Sequence, residues 1–194
     1  SVIRMPNTEL LGPQLLRVDY SENAVTKSAN YEVRVTNNGV DVGDAYSDLI
    51  FSEYVEGSSN NKYLEIFNGT GETVDLSDYQ VLLFSNGSAT VSRTLQLPGT
   101  LQLPGTLSHG DVIVIKNEKA VLKLPEGVVP INSTVVDFNG NDALALKKVS
   151  TDEYVDIFGK IGHDPGTAWT GGGVTTVNKT LVRKPTVTSG VTTN

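Results

Sequence analysis

The sequence predicts an all-β protein built as an antiparallel sandwich, and three observations carry that prediction. Strand-length apolar runs recur along the chain with polar neighbours between them, the period-2 signature of sheets with one buried face. Four Asn-Gly pairs, at Asn38-Gly39, Asn68-Gly69, Asn86-Gly87 and Asn139-Gly140, punctuate these runs. Both residue types tolerate the positive φ that a tight hairpin turn demands. The abundance of Gly, Thr, Val and Asn favours strands and turns over helix.

In chain order, Gln14 to Tyr20 reads as the first strand and Tyr31 to Thr36 as the second, with Tyr31, Val33 and Val35 on one face. Asn38-Gly39 then predicts a return strand near Val40 and Val42. From Leu49 the pattern becomes regular. Leu49 to Tyr54, Tyr63 to Phe67, Tyr79 to Phe84, Thr90 to Leu95, Val112 to Ile115, Thr134 to Phe138 and Ala143 to Lys147 all read as strands, enough for a two-sheet sandwich. Val112 to Ile115 has no polar interruption, which predicts a central strand buried on both sides. The single helical candidate is the short stretch from Glu118 to Lys123, next to Pro125.

At 194 residues and 38% hydrophobic content the chain has material for one sandwich core and an appended piece. A formal charge of −7 disfavours nonspecific binding to nucleic acid, whose phosphates the average field would repel. Lys179, Arg183 and Lys184 form a small basic group near the carboxyl end, which reads as a solvated face rather than a phosphate site. The absence of cysteine excludes a disulfide framework, a thiolate metal site and a cysteine nucleophile. No apolar run reaches the roughly 18 residues of a membrane helix, so no membrane insertion is expected. The start at Ser1, without a charged-then-apolar leader, is expected to mark a mature fragment or an excised piece.

One internal repeat stands out: Leu95-Gln-Leu-Pro-Gly-Thr100 is copied at once as Leu101 to Thr106. Six residues are too few for a solenoid unit. Each Pro-Gly predicts a turn, so the second copy is expected to bulge as a loop outside the core.

Several ordered motifs then narrow the fold. Ile50-Phe-Ser-Glu-Tyr54 precedes Tyr63-Leu-Glu-Ile-Phe-Asn68, followed by Val74-Asp-Leu-Ser-Asp-Tyr79, the run Leu107 to Ile115, and Phe138-Asn-Gly-Asn-Asp-Ala-Leu-Ala-Leu146. Tyr154-Val-Asp-Ile-Phe-Gly159, Ile161 to Trp169 and Thr180-Leu-Val-Arg-Lys-Pro185 complete the series. In identity and order these motifs resemble the lamin-tail domain, in particular its bacterial secreted branch, over about residues 46–186. The doubled Leu-Gln-Leu-Pro-Gly-Thr element departs from the family's usual single copy. The resemblance implies an immunoglobulin-like sandwich without chemistry of its own, often joined to secreted hydrolases. Residues 1–45 would be N-terminal strands or the end of a preceding domain, and residues 187–194 a flexible tail.

Residue chemistry was weighed beside that resemblance. Only His109 and His163 are present, each in a glycine-flanked turn, and no Gly-x-Ser-x-Gly elbow or His-Glu-x-x-His helix occurs. No catalytic residue is assigned. Asp137, Asn139, Asn141 and Asp142 offer closely spaced oxygens that suit Ca²⁺, with Asp137 and Asp142 the candidate ligands; the same residues also read as a plain turn. Glu53 and Glu65 lie in strands, with Glu56 in the following loop. They are either solvated charges or, if buried, partners of Lys62 or Arg183. Trp169, between Asp164-Pro-Gly and a Gly-Gly-Gly run expected to be mobile, either caps the core or offers a stacking platform. The triplets at Asn68, Asn86, Asn132 and Asn178 fit the glycosylation sequon, a pattern that arises easily in Asn- and Thr-rich sequences.

The expectation is therefore a noncatalytic interaction or targeting module of a secreted or cell-surface bacterial protein, with a protein or surface glycan as partner. Its binding surface would use loops at one end, with Glu56, Asn60, Asn61, His163, Asp164 and Trp169 as candidates because they are polar, glycine-flanked and dispensable to a core. Alternatives are a structural accessory domain of an extracellular hydrolase or nuclease, and a Ca²⁺-dependent carbohydrate-binding module.

Overall fold

The computed structural model describes residues 12–22, 25–35, 46–97 and 105–194. The chain divides into two compact units, Ser1–Ala45 and Tyr46–Asn194. In the first, β1 (Gly12–Glu22) pairs antiparallel with β2 (Val25–Val35), Gly12 opposite Val35 and Glu22 opposite Val25. The predicted strand Gln14 to Tyr20 and residues Tyr31 to Val35 of the second fall inside this hairpin, while Thr36 lies outside the described residues. Asn38-Gly39, the return strand near Val40 and Val42, and most of the tandem repeat lie outside the described residues.

The second unit is a sandwich of two sheets, as the alternation predicts. Its strands are β3 (Ile50–Glu56), β4 (Lys62–Phe67), β5 (Val74–Asp75), β6 (Tyr79–Phe84), β7 (Arg93–Gln96), β8 (Thr106–Leu107) and β9 (Val112–Lys116). Then follow β10 (Ile131–Asn132), β11 (Ala143–Lys148), β12 (Glu153–Phe158), β13 (Thr170–Gly171), β14 (Val174–Thr175) and β15 (Lys179–Val182). One sheet has the order β10-β9-β4-β3-β15 and the other β12-β11-β6-β7. All ladders between these strands are antiparallel except the short parallel contact of β10 with β9. Among the described residues no helix is long and apolar enough to cross a membrane.

The core lies between the sheets because alternate residues of each strand face inward. Leu64 and Ile66 of β4, Ile113 and Ile115 of β9, Val81 and Leu83 of β6 and Leu144 and Leu146 of β11 supply its centre. Tyr54 stacks between Phe138 and Phe158, with ring centroids at 4.6 and 4.3 Å, so three aromatics bridge the two sheets. Burial and nearby carboxylates raise the Tyr54 phenol above its ordinary range. In β9, Ile113 to Ile115 are buried as predicted, while Val112 is 38% exposed.

Three predicted elements take other forms. Glu118 to Lys123 is a turn and an extended segment rather than a helix. Six residues bordered by Pro125 cannot pay for helix nucleation, and the segment's N–H groups go elsewhere: Ala120 to the Asn117 carbonyl, Val121 to Asn61 Oδ1. Thr134 to Val136 is one 3₁₀ turn instead of a strand, capped by Ser133 Oγ, which accepts the Val135 N–H at 3.1 Å. Both Val135 and Val136 are fully buried in this turn. A second 3₁₀ turn spans Leu76–Asp78.

Of the three described Asn-Gly pairs, only Asn86-Gly87 has positive φ at both residues, 53° and 73°, inside a turn closed by the Ser88 N–H on the Ser85 carbonyl. Asn68 is instead fully buried, its Nδ2 donating to the Glu72 and Leu107 carbonyls at 2.8 and 2.7 Å. That burial also removes Asn68 from any surface-modification reading. The run expected to be mobile, Thr170 to Gly173, begins a two-residue hairpin joining β13 to β14, with Gly172 and Gly173 at φ 55° and 80°.

Residues 187–194 carry no regular structure, yet they are not free as the sequence led us to expect. The Val191 N–H donates to Asp156 Oδ1 at 2.9 Å, and Asn194 exchanges two hydrogen bonds with the Ile161 backbone. Gly190 lies so close to β12 that a Cβ there would stand 2.1 Å from the Val155 carbonyl oxygen.

Candidate binding surface

The β3–β4 hairpin ends on a charged pair. Glu56 stands directly opposite Lys62 and shares its parity with inward-facing Tyr54, as Lys62 does with Leu64. Glu56 is therefore only 6% exposed and Lys62 9%, which corrects its expected place in an open loop. The Lys62 ammonium donates to a Glu56 carboxylate oxygen and, at 2.6 Å, to the Gly57 carbonyl. The other Glu56 oxygen accepts the Asn178 N–H, fastening the hairpin end to the approach of β15. Such a pair closes the core rim, and Lys62 also lines the groove that opens beside Asn60.

The loop beyond it is tightly made. The Gly57 N–H donates to the Asn61 carbonyl at 2.8 Å, and Asn61 Oδ1 accepts the Val121 N–H at 3.0 Å. Asn60 is exposed. Beside it opens a groove of about 600 Å³ lined by the amides of Asn60, Asn117 and Asn132, the hydroxyls of Ser133 and Thr134, and Lys119 and Asp137. Its walls are held by backbone turns, so its polar groups are positioned before any ligand arrives.

Asp137 and Asp142 were expected as oxygen ligands, and the fold gives them separate work. Asp137 accepts from Asn117 Nδ2 at 2.6 Å and faces Arg93 Nε at 3.9 Å. Asp142, 4% exposed, accepts the Asn86 N–H on Oδ1 at 2.7 Å and the Asn139 N–H on Oδ2 at 2.9 Å. It clasps two turns of the sandwich together. Burial raises its carboxyl above the usual range, opposed by those two hydrogen bonds and aided by Asp164. Among the described residues no three His, Asp or Glu side chains come together.

Trp169 is half-buried and serves as the cap that the sequence allowed. Its Nε1 donates to the Asp142 carbonyl at 2.8 Å, its N–H to the Gly140 carbonyl at 3.1 Å, and its ring covers Gly159. Exposed His163 sits against the ring, centroids 5.9 Å apart. Asp164 Oδ1 accepts the Gly166 N–H at 2.8 Å and Asn141 Nδ2 at 3.2 Å, an internal turn that still leaves the residue exposed. His109 Nδ1 accepts the Gly71 N–H at 3.0 Å, a turn-holding role.

The candidates thus form two groups, Glu56-Asn60-Asn61 and His163-Asp164-Trp169, joined by one short segment. Thr176 bonds to Trp169 and to the Gly140 carbonyl, Val177 packs on Gly140, and Asn178 reaches Glu56. The loops gather at one end of the sandwich, where Asn60 and Asp137 share the groove.

Sequence reasoning missed a buried polar link. Asp156 is fully buried; its Oδ2 accepts the Phe51 N–H at 2.8 Å and Arg183 Nη2 at 2.6 Å. Arg183 Nε returns to the Phe51 carbonyl at 2.8 Å. The β3 ladder is interrupted by a bulge between Phe51 and Glu53, and this pair occupies the peptide groups released there. Arg183, read as part of a solvated basic face, is half-buried and turned onto Asp156; Lys179 and Lys184 are exposed. Aspartate in an otherwise alternating Val155-Asp156-Ile157 run was the available signal.

A family model described as the lamin tail domain matches residues 43–162, well over half of the chain. The match ends before β15, although β15 completes the five-stranded sheet against β3. A comparison with curated proteins finds no match.

Proposed function

The chain belongs to the lamin tail domain family, a noncatalytic immunoglobulin-like domain, and from that premise we propose that it is an interaction module of a secreted or cell-surface bacterial protein. It binds through the loop end of the sandwich and carries out no reaction of its own. The observation that carries this reading is the groove of about 600 Å³ lined by Asn60, Asn117, Asn132, Ser133 and Thr134. Amides and hydroxyls on a fixed backbone suit the hydroxyl groups of a surface glycan, with a polar protein surface the other partner of matching chemistry. The acidic net charge of −7 argues against nucleic acid as that partner.

Thermal unfolding of the full chain against a glycan panel, with and without Ca²⁺, tests the reading. A ligand that binds only the native state raises the melting temperature. A rise with a glycan that needs no Ca²⁺ is the expected result. A rise with Ca²⁺ alone would favour a calcium-dependent site instead.

A further inference from the structure

The outer face of the five-stranded sheet carries a feature the loop end does not explain. With Leu64 and Ile66 inward, Tyr63 and Glu65 point outward; Tyr63 stands opposite Val55, and Glu65 stands between Glu53 on β3 and Val114 on β9. Part of this face is covered by the segment after β9. Tyr63 is clasped to Leu122, its hydroxyl donating to the carbonyl at 3.2 Å and accepting the N–H at 2.8 Å, while Leu124 and Val128 pack against Tyr63 and Val114.

Next to that cover lies a groove of about 350 Å³. Val55, Val112 and Val114 line its floor, Leu122, Leu124 and Val128 its wall, and Glu53 and Glu65 stand in it side by side. Like charges directly opposite on neighbouring strands repel. Among the described residues neither carboxylate has a cationic partner: the ion pairs join Lys62 to Glu56, Arg93 to Asp137, Lys147 to Asp152, Lys148 to Asp48 and Arg183 to Asp156. Glu65 accepts only the Ser52 hydroxyl at 2.7 Å. Lys123 lines the groove without reaching either.

We propose that this groove docks a basic peptide segment of a partner protein, placing an arginine head across Glu53 and Glu65 and an apolar neighbour on the valine floor. The carboxylates supply the charge complement, and a planar guanidinium can reach both oxygen sets at once. The valines and Tyr63 take the methylene stem and the neighbouring side chain. The net charge of −7 draws a basic segment toward the domain from a distance.

Fluorescence anisotropy tests the proposal, using the full chain and a labelled ten-residue peptide that alternates arginine with valine, at low ionic strength. Binding by the native chain should weaken about tenfold in E53Q/E65Q, the change expected when a charge-assisted contact is lost. E72Q/E153Q removes the same charge from exposed positions outside the groove and should stay within about twofold of the native chain. A peptide with serine in place of valine should bind more weakly than the valine form. Absence of binding by the native chain, equal loss in both double variants, or full retention in E53Q/E65Q would overturn it. Circular dichroism confirms folding of each variant, and N60A/T134A, altered only in the loop-end groove, should bind the peptide as the native chain does.

Discussion

At Asp142 both carboxylate oxygens are committed to backbone N–H groups of two different turns. An asparagine there offers one acceptor and turns an NH₂ toward the other N–H, leaving a buried donor without a partner. Asp142→Asn should therefore cost about 1–3 kcal/mol in denaturant unfolding. Glu53 gives a pH signature. Burial, and then Glu65, raise its carboxyl above its ordinary value of 4.5. The native state thus holds a proton more tightly than the unfolded chain, so this group's contribution to stability falls as pH rises from 4.5 through the raised value. Lys123 lines the same groove and Glu65 faces the group directly, so the effect belongs to the local cluster. Glu53→Gln should flatten that slope and leave the chain slightly more stable at neutral pH, as melting curves across pH 4–8 would show.

Single elements were legible where period and burial agreed. The strands β4, β6, β9 and β11 fall within a residue or so of their predicted bounds, because each is a compact apolar run ended by turn or polar residues. The misreadings share a cause: local propensity yielded to tertiary contact. Thr134-Val-Val136 has strand composition but both valines are needed inside, and Glu118 to Lys123 has helix formers but is pinned to Asn61 and Tyr63. The carboxyl-terminal segment has no strand pattern to announce it, yet its backbone is held by the Asp156 carboxylate and its Asn194 amide by the Ile161 backbone. Gly190→Ala forces a Cβ into the Val155 carbonyl. It should release this segment, and hydrogen exchange should report faster exchange at Val191, whose N–H now rests on Asp156. An unchanged Val191 rate would show that the strand and segment can separate without loss.

For the whole molecule, the sandwich was readable from motif order, while the state of each candidate residue was not. Glu56 looked like a loop residue because the bulge at Ser52 hides the phase that places it with Tyr54 and Lys62. Asn60 remained exposed because no inward parity claims it. Asp156 within an apolar run hinted at a buried charge, but its partner Arg183 lies 27 positions away, so the link itself could not be read from the sequence. On the proposed reading the groove beside Asn60 binds a partner through exposed side chains that the fold does not need. The direct measurement is surface binding of the full chain to a glycan and protein panel, repeated with N60A/N132A/T134A, all exposed groove positions. The account predicts a partner bound by the native chain and lost by about tenfold or more in the variant, with the melting temperature unchanged, as expected when residues that carry binding energy are truncated. A partner bound equally by both chains would contradict it.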